Sequence, residues 1–191
     1  MYNLNGAKVV FLDRDGTINV DHGFVCNLDN FELCEGAGRG LQILAGHFDL
    51  FVVTNQSGIG RAMYTLQDMH SVHTHMRLAL KKYGVHLADV FYCPHAPDAR
   101  CGCRKPEVGM IVQAELKYGL FDYEHSWMIG DKLTDISLGH RIGTKTALLR
   151  SNYWRDADLK YGVQKTDGFV PTLVCDSLLD AAKKIEELEN G

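Results

Sequence analysis

No stretch of this 191-residue chain is basic enough to suggest a polyanionic partner, and none is apolar enough to span a bilayer. Lys and Arg total 20 against 24 Asp and Glu, a net charge of −4, so charge suggests neither nucleic acid nor an anionic membrane as partner. A small anionic substrate remains compatible, because a local pocket can be basic on an acidic protein. No apolar run approaches the roughly 18 residues a spanning helix needs. The start, Met1 to Gly6, lacks the basic and apolar regions of a signal peptide, so a cytoplasmic location is expected. Repeats, low-complexity tracts and linkers rich in Pro, Gly or Ser are also missing. That predicts one domain over 1–191, long enough to bury a core without disulfides, and a monomer with weak self-association left open. There is no Gly-x-x-x-x-Gly-Lys phosphate loop. Gly36-Ala37-Gly38-Arg39-Gly40 misses dinucleotide-binding spacing and reads as the start of a helix.

What the chain does have is a recurring order of short apolar run, polar residues, then helical pattern. Lys8–Leu12, Leu50–Val53, Val90–Tyr92, Trp127–Ile129, Thr146–Leu149 and, more weakly, Phe169–Val174 are candidate strands. Their unbroken apolar character is that of strands covered on both faces. Thr65 and Asp68 make a capping box ahead of Met69, Val72, Met76, Ala79 and Leu80. Met110–Leu116 and Ser177–Leu188 supply two more helices. Alternation of this kind predicts an α/β fold with a Rossmann-like parallel sheet flanked by helices. Ligands of such sheets bind beyond the carboxyl ends of the strands.

Polar residues cluster at that edge. Asp13-Arg14-Asp15-Gly16-Thr17 follows the first strand, Thr54-Asn55-Gln56-Ser57-Gly58 the second, and Gly130-Asp131-Lys132-Leu133-Thr134-Asp135 the fourth. A single strand-end aspartate is commonly a cap or a turn residue. Several carboxylates converging on one point would instead repel one another unless a cation sat among them. Oxygen donors in a small site favour Mg²⁺. Cys93-Pro94-His95 and Cys101-Gly102-Cys103 form a second constellation, Cys-x-His then Cys-x-Cys. Three sulfurs and one imidazole make a closed tetrahedral Zn²⁺ set, structural rather than catalytic, in a loop over 93–103. No His-x-Glu accompanies them, which excludes the zinc-deaminase arrangement.

The runs VVFLDRDGT, FVVTNQSG, RKP and MIGDKLTD, in that order, resemble the four motifs of the haloacid-dehalogenase superfamily of phosphotransferases. The longer strings FLDRDGTIN, TNQSGIGR, YCPH, CRKP and GDKLTD resemble a narrower group. It comprises D-glycero-D-manno-heptose 1,7-bisphosphate phosphatases and related histidinol-phosphatase domains. The resemblance implies that Asp13 attacks phosphorus and that Asp15 serves as acid and then base. It further implies Mg²⁺ on the carboxylates of Asp13 and Asp131 and the carbonyl of Asp15, with Thr54 and Lys105 holding the phosphoryl oxygens. Asp135 is expected to orient Lys132 or metal-bound water. The subgroup carries a zinc loop, which here leads straight into Arg104 and Lys105. Arg104 is expected to grip a second phosphate of a small phosphorylated metabolite.

Thr17 to Phe31 corresponds to the superfamily's flap, so Asn19, Asp21, His22 and Gly23 are candidate contacts for substrate hydroxyls. Asn55, Gln56 and Lys132 join them as substrate-binding candidates. There is no insertion long enough for a large cap domain, so the site should be open. The alternative substrate is histidinol phosphate, whose phosphatase domain is in some organisms fused to a second catalytic domain for which this chain has no room. A catalytically silent binding protein would have lost Asp13 or Asp15. His70, His73 and His75 are read as a solvated helix face, and Ser151–Asp167 as a surface excursion or self-association surface.

Overall fold

Six parallel strands form one sheet in the order β3-β2-β1-β4-β5-β6. They are β1 (Val9–Leu12), β2 (Asp49–Asn55), β3 (Asp89–Cys93), β4 (Trp127–Gly130), β5 (Lys145–Leu149) and β6 (Leu173–Cys175). Among the described residues the α-helices are α1 (Ala37–Leu44), α2 (Ser57–Gly60), α3 (Leu66–Lys81), α4 (Gly109–Tyr118), α5 (Leu133–Ile142) and α6 (Leu178–Asn190). This computed structural model describes residues 3–150, 168 and 170–191. The excursion expected over Ser151–Asp167 and the Phe169 end of the sixth strand lie outside the described residues.

Side chains alternate across β1, and that alternation builds two cores. Val10 and Leu12 pack with Leu41, Met76, Leu80 and Ile185 on one face, while Val9 and Phe11 pack with Met110, Ile111, Ala114 and Leu138 on the other. Burying each such side chain contributes roughly 1.5–3 kcal/mol, which offsets the entropy lost on ordering the chain. The unbroken apolar runs are thus strands sandwiched between α1, α3 and α6 on one side and α4 and α5 on the other.

Helix α3 starts where its capping box predicts: Thr65 N donates to Asp68 Oδ2 at 2.8 Å, and Asp68 N to Thr65 Oγ1 at 3.2 Å. Helix α5 is not announced by the sequence pattern, because buried Ser137 and Gly139 interrupt its apolar face of Leu133, Ile136 and Leu138. The sixth strand begins at Leu173, later than expected. Pro171, just before it, has no N–H to give a ladder. No described helix is long and apolar enough to cross a membrane.

Strand order reverses at β1, which has β2 on one side and β4 on the other. The crevice of a doubly wound sheet opens at such a switch point. Asp13 leaves β1 there, beside Asp131 leaving β4 and Thr54 near the end of β2.

Candidate active site

A cavity of about 610 Å³ opens over this edge. Asp13, Asp15, Asp21, Gly23, Thr54, Asn55, Gln56, Arg104, Lys105 and Lys132 all line it. Asp131 lies fully buried beneath. His22 is exposed on the flap, outside the lining.

Lys105 is buried, yet charged. Its Nζ lies 2.9 Å from Asp13 Oδ1 and 2.7 Å from Asp135 Oδ1, and donates to Val53 O at 2.7 Å. Burial works against that charge, but the two aspartates outweigh it and hold the ammonium above its usual range. The converse holds at Asp13, where Lys105 and Lys132 overcome the burial penalty and keep the carboxyl below the usual range. Asp135 therefore fixes Lys105, and its other oxygen accepts from Lys132 N at 3.0 Å. The expected partner, the Lys132 side chain, is engaged elsewhere.

The Lys132 ammonium lies 3.2 Å from Asp15 O, 3.3 Å from Asp131 Oδ1, 3.4 Å from Asp21 Oδ2 and 3.8 Å from Asp13 Oδ2. The oxygens assigned to Mg²⁺ thus already converge on one cation. Burial, then the nearby charge of Asp13, pushes Asp131 up to about 7. Carboxylate oxygens of Asp13, Asp131 and Asp135 lie within 4.8 Å of one another, an oxygen set that fits a hard divalent ion. Gly16 makes the convergence possible. Its φ of +85° belongs to glycine, and a Cβ there would overlap the Asp131 carboxylate.

Cys93 at the end of β3 and His95, Cys101 and Cys103 on the loop after it come together. Their separations are 3.1 Å for Cys93–Cys103, 3.5 Å for Cys93–Cys101, 3.7 Å for Cys101–Cys103, and 3.5 and 3.2 Å from His95 Nδ1 to Cys93 and Cys103. Zn–S bonds of about 2.3 Å imply tetrahedral edges of about 3.8 Å. The cluster is close to that shape, and the thiols are free rather than bridged. Directly after it, the Asn55 side chain brackets the Lys105 peptide, accepting from Lys105 N at 2.9 Å and donating to its carbonyl at 3.3 Å. Arg104 lines the cavity, and its Nη1 is buried with no hydrogen-bond partner among the described residues.

The HAD-hydrolase-like family model matches residues 102–181. The D-glycero-beta-D-manno-heptose-1,7-bisphosphate 7-phosphatase of Haemophilus ducreyi is 43% identical over 152 residues, which is 75% of this chain and 83% of that protein. The chain belongs to the haloacid-dehalogenase-like hydrolases. The enzyme of the same name from Escherichia coli is 43% identical over 151 residues, 73% of this chain and 78% of its own. Among solved structures, the D,D-heptose 1,7-bisphosphate phosphatase from B. bronchiseptica, complexed with magnesium and phosphate, superposes with a TM-score of 0.80. It shares 28% identity and covers 96% of this chain and 99% of its own.

Within this haloacid-dehalogenase-like frame, several side chains depart from the sequence reading. Gln56 is buried and engaged with protein: its Nε2 donates to Asp15 Oδ2 at 3.0 Å and Thr54 Oγ1 at 2.8 Å, while its Oε1 accepts from Tyr64 at 2.6 Å. Asn19, expected on the flap, is fully buried and donates to Asp15 Oδ1 at 3.0 Å. His73 is not solvated. It falls in register with Met69, Val72, Met76 and Leu80 on the inner face of α3 and meets Arg14. Arg14, Tyr64 and His73 were missed by sequence reasoning. For His73, the signal was its spacing to Met69, Met76 and Leu80.

Burial, and next the charge of Arg14, pushes His73 down to about 3. An unfolded ring titrates near 6.5. Between those values the unfolded chain binds more protons, so this contribution is full above about 6.5 and lost as pH falls toward 3. Asp131 and Asp135, pushed up to about 7 and about 6, act with the opposite sign. The stability advantage of the native protein over His73→Gln, read from urea midpoints, should therefore shrink on acidification, by at most about 1.4 kcal/mol per pH unit. A difference constant between about pH 7 and pH 4 would show that the folded ring is not held neutral.

Proposed function

We propose that this chain is a magnesium-dependent phosphatase that removes the 7-phosphate of D-glycero-D-manno-heptose 1,7-bisphosphate through an aspartyl-phosphate on Asp13. The observation that carries the reading is Asp13 at the switch point, held between the ammonium groups of Lys105 and Lys132, the latter also meeting Asp131 Oδ1 and the Asp15 carbonyl. The names of the 43%-identical relatives supply the substrate.

The carboxylates of Asp13 and Asp131 and the Asp15 carbonyl would hold Mg²⁺. When bound, the ion offsets the charge of the phosphoryl group. Asp13 forms a bond to phosphorus as the sugar oxygen leaves, and Asp15 delivers a proton to that oxygen. Asp15, now a carboxylate, takes a proton from the water that attacks phosphorus, which frees Asp13 and inorganic phosphate. Lys105 is a preset cation for the transferring oxygens. Thr54 Oγ1 accepts from Gln56, which leaves its own hydrogen to donate into the cavity. Cys93, His95, Cys101 and Cys103 would hold Zn²⁺, which rigidifies the loop that presents Arg104 and Lys105.

Phosphate release from heptose 1,7-bisphosphate anomers, fructose 1,6-bisphosphate and histidinol phosphate, with Mg²⁺ or with EDTA, tests the assignment. Turnover should favour a heptose bisphosphate and vanish with EDTA. Hydrolysis of histidinol phosphate alone would sink the substrate.

Arg104 offers a second phosphate its guanidinium, whose Nη1 has no partner among the described residues. Charge-assisted hydrogen bonds are worth about 1.5–3 kcal/mol, so Arg104→Ala should lower kcat/KM for the bisphosphate roughly 10- to 100-fold. A heptose 7-monophosphate should be cleaved nearly as before. Equal loss on both substrates would refute a role specific to the second phosphate.

A further inference from the structure

Asp15 is the most heavily restrained carboxylate in the cavity wall. Its Oδ1 accepts from Arg14 Nε at 3.0 Å, Arg14 Nη2 at 2.8 Å and Asn19 Nδ2 at 3.0 Å. Its Oδ2 accepts from Arg14 Nη2 at 2.8 Å and Gln56 Nε2 at 3.0 Å. Three of these five contacts come from one guanidinium, and Arg14 is fully buried. What aims Arg14 therefore aims Asp15.

Two groups hold the far side of that guanidinium. Nη2 donates to Val25 O at 2.9 Å, and Nη1 meets His73 Nε2 at 3.2 Å. A guanidinium has no acceptor, so His73 must offer the lone pair of Nε2 and carry its proton on Nδ1. The ring can do this only while neutral, and its burial keeps it so. His73 stands on α3, outside the strand-end clusters of the site, 59 residues from Arg14 in the chain.

We infer that His73 is a positioning residue for phosphoryl transfer, orienting Arg14 so that Arg14 sets the place of the Asp15 carboxyl in the cavity wall. The role rests on the acid/base assignment of Asp15 above. Fixed geometry matters here because a proton must pass within hydrogen-bond reach of a reacting oxygen, and small displacements are costly. A packing role for His73 would affect all substrates alike. A positioning role affects only those whose leaving group needs the proton.

The test compares kcat/KM for a sugar phosphate, a poor leaving group, with that for 2,4-dinitrophenyl phosphate, whose leaving group needs no proton. This ratio reports aspartyl-phosphate formation alone. His73→Leu should lower kcat/KM for the sugar phosphate by about tenfold or more, with the aryl phosphate changed by less than about threefold. His73→Gln, which can return an acceptor oxygen to Arg14, should recover most of the loss and guards against a His73→Leu protein that does not fold. Asp15→Asn is the control. If it leaves the ratio of the two substrates unchanged, the acid/base reading fails. If it shifts the ratio while His73→Leu does not, or if His73→Leu lowers both substrates equally, the inference about His73 is overturned.

Discussion

Asp13→Asn should reduce phosphate release by about a thousandfold or more without unfolding the protein. Asparagine matches aspartate in size, so the change removes charge and nucleophilicity and little else. Lys105 keeps Asp135 at 2.7 Å and the Val53 carbonyl at 2.7 Å, which leaves its ammonium paired inside the core. The cation site at the switch point loses one of its carboxylates as well, so metal affinity should fall along with turnover. Phosphate release under saturating Mg²⁺, with circular dichroism as the check on folding, measures the effect. Undiminished turnover would eliminate the covalent mechanism.

Removing zinc should come second in size. A closed set of three thiolates and one imidazole binds the ion with a free energy that is itself folding energy. A zinc chelator, followed by excess Mg²⁺ to refill the catalytic site, or Cys101→Ser, should lower Tm on the order of 10 °C. Activity should fall with it, because Arg104 and Lys105 follow Cys103 directly in the chain. Asn55 is the other anchor of the Lys105 peptide, so some residual alignment should survive. Metal analysis should find about one zinc per native chain and less in Cys101→Ser. Full activity from a zinc-free protein would show that the loop orders itself.

The sequence already carried the parts whose meaning is local. Asp13, Asp15 and Asp131 stand directly after apolar runs, and the ends of parallel strands share one edge, so their neighbourhood follows once the runs are read as strands. The Cys-x-His and Cys-x-Cys pairs lie within eleven residues of chain, too short a span to separate them far. The Thr65 cap and the Met69–Leu80 spacing describe α3 without reference to the rest of the molecule. Helix α5 has no clear apolar period because its buried face includes Ser137, which lines the cavity, and Gly139, where a Cβ would meet Thr146 and Met128 of the sheet.

Read alone, the chain specifies which groups stand ready: a strand-end aspartate, its carboxylate neighbours, a lysine after a four-donor loop, and a parallel sheet to hold them. Tertiary structure alone decided how they pair. Asp135 turned out to secure Lys105, Lys132 to reach the Asp15 carbonyl across 117 residues of sequence, Gln56 and Asn19 to brace Asp15, and His73 to face inward. The physical reason is that periodicity and caps register only forces within a few residues along the chain. Which distant donor meets which acceptor depends on strand order and on where the crevice falls, and those are properties of the assembled sheet.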